Sequence, residues 1–282
     1  MRWKGRQQSG NVEDRRAMGG RRMVAGGGVG ILVVVAIVWL MGGDPSQVVN
    51  TLQTTGGEYG AVDSSVIQAE AELAQFASVV LKDTEDVWRA LFSESGMTYR
   101  DPTLVLFSGS VQSACGFSSS ATGPFYCPGD EKLYIDLSFL AQLQQRLGAT
   151  GDFAMAYIIA HEVGHHVQNL LGTMNQMQSL RGRVSETEYN ASMVRLELQA
   201  DFLAGVWAHH AQRTKNILEE GDVDEAVGAA AAVGDDRIQM ESQGYVVPDA
   251  FTHGTSEQRK GWFLKGFRTG AVNQGDTFSS SD

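Results

Sequence analysis

The stretch Phe153-Ala154-Met155-Ala156-Tyr157-Ile158-Ile159-Ala160-His161-Glu162-Val163-Gly164-His165-His166 decides how this chain folds around its site. Its first eight residues form an apolar, helix-compatible run, and the run carries the pattern His-Glu-x-x-His at positions 161 to 165. On an α-helix, residues four apart lie one turn apart on one face. His161 and His165 can therefore offer two imidazoles to one Zn²⁺ while Glu162 faces a metal-bound water, the geometry of a zinc hydrolase. Gly164, lacking a side chain, would let another backbone approach the metal side. The alternative is a coincidental pair of core or surface histidines, and the motif's helical context weighs against it.

Zinc at a hydrolytic site needs a third protein ligand and one open position. The best candidate is Glu197, in a second helix-compatible run, Arg195-Leu-Glu-Leu-Gln-Ala-Asp-Phe-Leu-Ala-Gly205. Glu197 and Asp201 are again four apart, on a helix otherwise rich in Leu, Ala and Phe. Two acids there are hard to bury unless something cationic or hydrogen-bonding meets them. A zinc ion would meet Glu197, and a ligand imidazole, expected to be His161, would meet Asp201 as the acceptor that orients it. A solvated acidic pair is the competing reading. With one Zn²⁺ per chain, the metal would lower the pKa of its bound water to about 7. Glu162 would take the proton and pass it to the leaving amine. A further donor to the oxyanion could come from His253 or Arg259, in Thr252-His-Gly-Thr-Ser-Glu-Gln-Arg259. A turn residue and a simple ion pair are the plainer readings of those two. His166 lies 100° around the helix from His165 and cannot share its face, so a polar neighbour, a cleft edge or a surface role is expected. His209 and His210 are read as structural.

The strings Ser113-Ala-Cys-Gly-Phe, Gly123-Pro-Phe-Tyr-Cys-Pro-Gly-Asp, Leu133-Tyr-Ile-Asp-Leu-Ser-Phe139, His161-Glu-Val-Gly-His-His-Val-Gln168, Glu197-Leu-Gln-Ala-Asp201 and His253-Gly-Thr-Ser-Glu-Gln-Arg259 together resemble the bacterial neutral zinc metallopeptidase family. The resemblance runs from the basic N-terminus to about Gly270. It implies His161, His165 and Glu197 as ligands, Glu162 as the catalytic residue, Asp201 as the orienting group and a gluzincin-like fold. It does not name a substrate.

The first 22 residues hold seven Lys or Arg against Glu13 and Asp14, and read as a basic cytoplasmic tail too polar and Gly-rich to fold. Residues 23 to 43 carry no charge, and Ile31 to Met41 is strongly apolar, so a single transmembrane signal anchor is expected. A cleaved signal peptide is the rival reading. Positive charge stays in the cytoplasm, which would place the rest of the chain outside, periplasmic or at the cell surface. Removing the tail's +5 from the overall −11 leaves the remainder near −16, a charge that repels nucleic acid and anionic lipid. Cys115 and Cys127, the only two cysteines, close a short Ser/Gly-rich loop and read as a disulfide in an exported domain. In a reducing compartment they would be two thiols instead.

Residues 44 to 62 read as a flexible linker, 63 to 270 as the zinc metallopeptidase domain and 271 to 282 as a disordered tail. Helical spacing is expected over Val66 to Phe92, Leu137 to Leu147, Asp222 to Ser242 and Ser256 to Phe267. Strands are expected at Thr103 to Phe107 and Lys132 to Asp136. Leu133 to Asp136 is offered as an edge strand that pairs with an extended substrate. The fold expected is mainly α with a small β-sheet, α+β and zincin-like, behind one N-terminal membrane helix. The function expected is a membrane-anchored zinc endopeptidase acting on extracytoplasmic polypeptides. A zinc-containing polypeptide-binding scaffold and a zinc hydrolase of a non-peptide amide are the alternatives. Oligomeric state is not legible in the residues.

Overall fold

A computed structural model describes residues 1–16, 64–119, 122–139 and 151–279. Strand β1 (Val12–Asp14) comes first, then helix α1 (Ser64–Glu94), β2 (Thr103–Phe107), β3 (Ser110–Ser113), β4 (Gly116–Ser119), β5 (Phe125–Cys127) and β6 (Lys132–Asp136). The rest is helical: α2 (Asp152–Leu170), α3 (Thr173–Leu180), α4 (Glu186–Lys215), α5 (Asp222–Ala232), α6 (Asp235–Gln243) and α7 (Ser256–Thr269). This is the expected mainly helical α+β arrangement. Among the described residues no helix is long and apolar enough to cross a membrane. The expected anchor at 23–43, the linker at 44–62 and most of the expected 137–147 helix lie outside the described residues.

The sheet has the order β1-β2-β6-β5, with β1, β2 and β6 parallel and β5 antiparallel to β6. Leu104, Leu106, Leu133 and Ile135 turn one face of it into the main core, as period-two alternation dictates. β3 and β4 form a hairpin, and the Cys115–Cys127 disulfide ties its turn to β5.

Helix α1 buries Phe76, Val80, Leu81, Val87, Trp88 and Phe92 along one stripe, and so packs on both the sheet and α2. α2 is buried over most of its length. The Glu225 carboxylate, brought in by α5, accepts from the Phe153 N–H at 3.0 Å and so caps its N-terminus. α4 starts in a capping box, Ser185 with Glu188, which fixes where the Glu197 helix begins. α2 and α4 cross closely because Gly164 has no side chain: a Cβ there would sit 2.9 Å from the Ala200 carbonyl oxygen. A second close crossing joins α4 to α7, where a Cβ on Gly266 would fall 2.0 Å from the Phe202 carbonyl oxygen. The backbone that Gly164 admits is thus that of the Glu197 helix.

Several expectations are corrected. Residues 1–16, expected to be an unfolded tail, are folded onto the body. β1 pairs with β2, and Trp3 is buried edge-on against Phe76 with ring centroids 5.4 Å apart. The basic side chains that made this segment look like a solvated tail instead meet acids: Lys4 with Glu72 and Arg6 with Asp83. β6 is not an edge strand, because β2 and β5 occupy both its sides. β5 is the edge. The expected 222–242 helix breaks after Ala232 into α5 and α6, Gly234 being extended. Residues 271–279, expected to be disordered, are ordered: Gln199 donates to the Gly275 carbonyl at 2.9 Å, and Thr277 is buried with its hydroxyl on the Arg195 carbonyl at 2.7 Å.

Candidate metal centre

α2 and α4 face each other across the Gly164 crossing, and this sets the site. His161 and His165 project from α2 with ring centroids 4.8 Å apart, and Glu197 projects from α4. Glu197 Oε2 lies 3.1 Å from His161 Nε2, and Oε1 lies 3.4 Å from His165 Nε2. Ligand atoms of all three residues lie within 4.8 Å of one another, and all three side chains are buried.

Each imidazole is held from behind. Asp201, fully buried, lies 2.8 Å from His161 Nδ1. A carboxylate only accepts, so Nδ1 carries a proton toward Asp201, and Nε2, the nitrogen beside Glu197 Oε2, is the one a metal would take in place of a proton. Gln168 does the same for His165: its Oε1 is 2.9 Å from Nδ1, while its amide nitrogen donates to the Leu196 carbonyl at 2.7 Å. Gln168 therefore also bridges the two helices.

Arg259 is 3% exposed and donates to Asp201 through Nε at 2.8 Å and Nη2 at 3.0 Å. It also reaches the Val233 carbonyl and the Tyr157 hydroxyl, and Tyr157 donates to Asp201. The fork of Arg259 is thus turned onto Asp201, behind the imidazole. The structure brings Arg259 to the site as the partner of the orienting acid, which was the plainer of its two readings.

Buried imidazoles would ordinarily lose protons, because burial disfavours the charged form. Asp201 and Glu197 overcome that, and His161 is pushed up to about 10. Against the same burial, Arg259 and His161 hold Asp201 down to about 2. The His165 and His161 imidazoles likewise hold Glu197 well below the usual carboxylate range. The cluster is thus built for positive charge. With neutral imidazoles, two carboxylates face one guanidinium, and Glu162, also buried, adds a third acid beside them. Two imidazole nitrogens and one carboxylate, buried and convergent, are a donor set that suits zinc with a position left open.

His253 sits at the rim. Asp235 Oδ2 accepts from the backbone N–H groups of Thr252, His253 and Gly254 at 2.7, 2.6 and 3.0 Å, and its Oδ1 lies 3.3 Å from His253 Nδ1. The Asp235 contact raises the pKa of the imidazole; burial opposes it, and the Glu197 charge adds to it. The side chain is half exposed and available to a bound molecule. Gly254, at φ +87°, lays this loop against Val194 and Leu198 on α4, beside Glu197.

His166 is fully buried and makes a polar contact, the first of the roles expected for it. Its Nε2 must donate to the Arg100 carbonyl, 2.6 Å away, so its Nδ1 accepts from the Tyr126 hydroxyl at 3.0 Å. Tyr126 belongs to β5, which is thereby fastened to α2. His209 and His210 lie on the Phe267 and Gly270 carbonyls at 2.8 Å, the structural contacts expected. The sequence reading passed over Tyr157, Gln168 and Asp235. Tyr157 and Gln168 had a visible signal: 157, 161, 165 and 168 form a polar stripe at helical spacing in an apolar helix.

Two helix-borne histidines and a glutamate from a second helix form a group that could hold a metal ion in an α+β fold. The chain matches the family described as "Putative neutral zinc metallopeptidase" over residues 1–278, and it belongs to that family. It is 47% identical over 295 residues to "Uncharacterized protein YpfJ" of Escherichia coli strain K12, covering 100% of both chains. It is 41% identical over 260 residues to "Uncharacterized protein Rv2575" of Mycobacterium tuberculosis strain H37Rv, covering 86% of this chain and 85% of that protein. No solved structure matches the chain.

Proposed function

We propose that the protein is a zinc-dependent endopeptidase that hydrolyses peptide bonds of extracytoplasmic polypeptides, with Glu162 as general base. The observation that carries this is the convergence of His161 Nε2, His165 Nε2 and Glu197 in a buried acidic cluster, with Asp201 and Gln168 fixing both imidazoles. Zinc held there would lower the pKa of a water to about 7 and polarise a carbonyl.

The chain's own groups supply the rest. Glu162 takes the proton from the attacking water and delivers it to the leaving amine. His253, held beside Asp235, donates to the oxyanion as it develops. The geometry favours His253 over Arg259 for that role, because the Arg259 donors are directed at Asp201, Tyr157 and the Val233 carbonyl. β5, the edge strand fastened to α2 through His166 and Tyr126, offers the backbone ladder for an extended substrate, the part first expected of β6. Membrane attachment through the apolar 23–43 stretch, and an oxidising compartment for the body, complete the proposal. The apolar composition supports the first and the Cys115–Cys127 bond the second.

The test is to incubate the zinc-loaded protein and its Glu162→Gln form with unfolded polypeptides and to identify new amino termini by mass spectrometry. Termini that depend on Glu162 are expected. Zinc binding by both forms with no new termini from either would overturn the proposal.

A further inference from the structure

Residues 1–16 are built into the body at every level of its structure. Trp3 fills an apolar slot against Phe76 and Met1 is buried beside it. The Leu104 N–H donates to the Asn11 carbonyl at 2.9 Å and the Arg15 N–H to the Leu106 carbonyl at 2.8 Å, so the segment continues the sheet. Ser9 and Ser78 exchange two hydrogen bonds, at 3.0 and 3.1 Å. Glu85, 2% exposed, accepts from the Ser9 hydroxyl and from Asn11 Nδ2 at 2.8 Å. Without the segment this acid would lose both of those donors, and the edge of β2 would lie open.

The basic charges of the segment are matched as well. Arg15 and Arg16 fold back onto Glu13 and Asp14, and Lys132 of β6 reaches Glu13 from the body. A cluster of positive charge that reads as a topology signal in the sequence is complementary to acids of the same folded unit. The family match, too, begins at residue 1 and runs through the body.

The place where the segment ends is decisive. The Arg16 guanidinium lies 3.3 Å from the Glu70 carbonyl and 3.5 Å from its carboxylate. Glu70 is in the second turn of α1, which begins at Ser64. Six residues of helix rise about 9 Å. A hydrocarbon core of about 30 Å cannot stand between the two ends of a connection so closely spaced.

We infer that the amino-terminal segment and the peptidase body occupy one compartment. A single crossing at 23–43 would strip the segment from its slot, its ladder and its ion pairs, and would take from Glu85 its nearest donors. This inference does not depend on whether the centre cleaves peptides.

The test is sidedness of labelling in the full chain. Lys4, with its side chain 77% exposed, and Glu241, 67% exposed, mark the segment and the body. The two native cysteines are joined to each other. Lys4→Cys and Glu241→Cys, made singly, are treated in intact bacterial cells with a membrane-impermeant maleimide, before and after permeabilisation. Both sites are expected to become labelled in the same condition, whichever condition that is. Labelling of Glu241→Cys in intact cells with Lys4→Cys reached only after permeabilisation, or the reverse, would overturn the inference. The exposed pair Gln7→Cys and Tyr245→Cys repeats the comparison should either first variant fail to accumulate.

Discussion

Replacing Asp201 by Asn tests the architecture of the centre at its most connected point. The Asp201 carboxylate is fully buried and accepts from the His161 ring, the Tyr157 hydroxyl and two Arg259 nitrogens. An amide keeps the shape but removes the charge, so it leaves a guanidinium that is 3% exposed without its counter-ion. Breaking a buried pair in this way costs about 3–5 kcal/mol. For a folded unit of this size that corresponds to a fall of about 6–20 °C in the unfolding midpoint. The imidazole loses its orienting acceptor too, and zinc affinity should fall about 10–100-fold. Urea unfolding of the metal-free forms gives the first quantity and competition with a chromogenic chelator the second. The double variant Asp201→Asn with Arg259→Met removes the stranded charge and should be less destabilised than Asp201→Asn alone, while its zinc affinity stays low. If Asp201→Asn unfolds within about 1 kcal/mol of the parent and binds zinc equally well, the account of a carboxylate pinned between His161 and Arg259 is wrong.

Other perturbations follow from the same geometry. His253→Gln should lower kcat about 100-fold with zinc binding unchanged. Because Asp235 raises the pKa of His253, activity should fall as pH rises through that pKa, and Asp235→Asn should move this limb to lower pH. A limb that stays in place in Asp235→Asn would remove His253 from the chemistry. Chelation should destabilise the protein by the binding term, about 2.7 kcal/mol when free zinc had been 100 times its Kd, and Glu162→Gln should show the same zinc-dependent shift in melting temperature. Gly164→Val should push α2 from α4 and cost at least about 1–3 kcal/mol in urea unfolding, with loss of zinc affinity. Trp3→Ala should cost about 3–5 kcal/mol for emptying the slot at Phe76, whereas an unchanged midpoint would show that residues 1–16 add nothing to the folded unit.

The candidate centre was readable in the sequence because its pattern is local. Two pairs spaced four apart, 161 with 165 and 197 with 201, announce both helices and the faces they turn to each other. The α+β class was readable for the same reason, since Thr103 to Phe107 and Lys132 to Asp136 are short, largely apolar runs of strand length and Ser256 to Phe267 repeats as a helix. What escaped depends on partners distant in the chain. Nothing near Arg6 reveals that Asp83 will neutralise it, and nothing near Val12 reveals a parallel partner at Leu104, so the segment read as a solvated tail. β6 looked like an edge because its two neighbours, β2 and β5, cannot be inferred from its own residues. Asp235 falls inside the single helix expected over Asp222 to Ser242, but it stands just past a helix break and gathers three backbone N–H groups of the His253 loop.

The contact between His166 and Tyr126 acts as a ruler. His165 and His166 are consecutive residues of one rigid helix, the first aimed at the metal position and the second clamped to the edge strand. A peptide laid along β5 would therefore be measured off from the metal by a fixed span, and the bond brought to it would be selected by counting along the backbone. Loosening the clamp, as Tyr126→Phe does by removing the hydroxyl that His166 accepts from, should blur where a substrate is cut more than it slows the cutting.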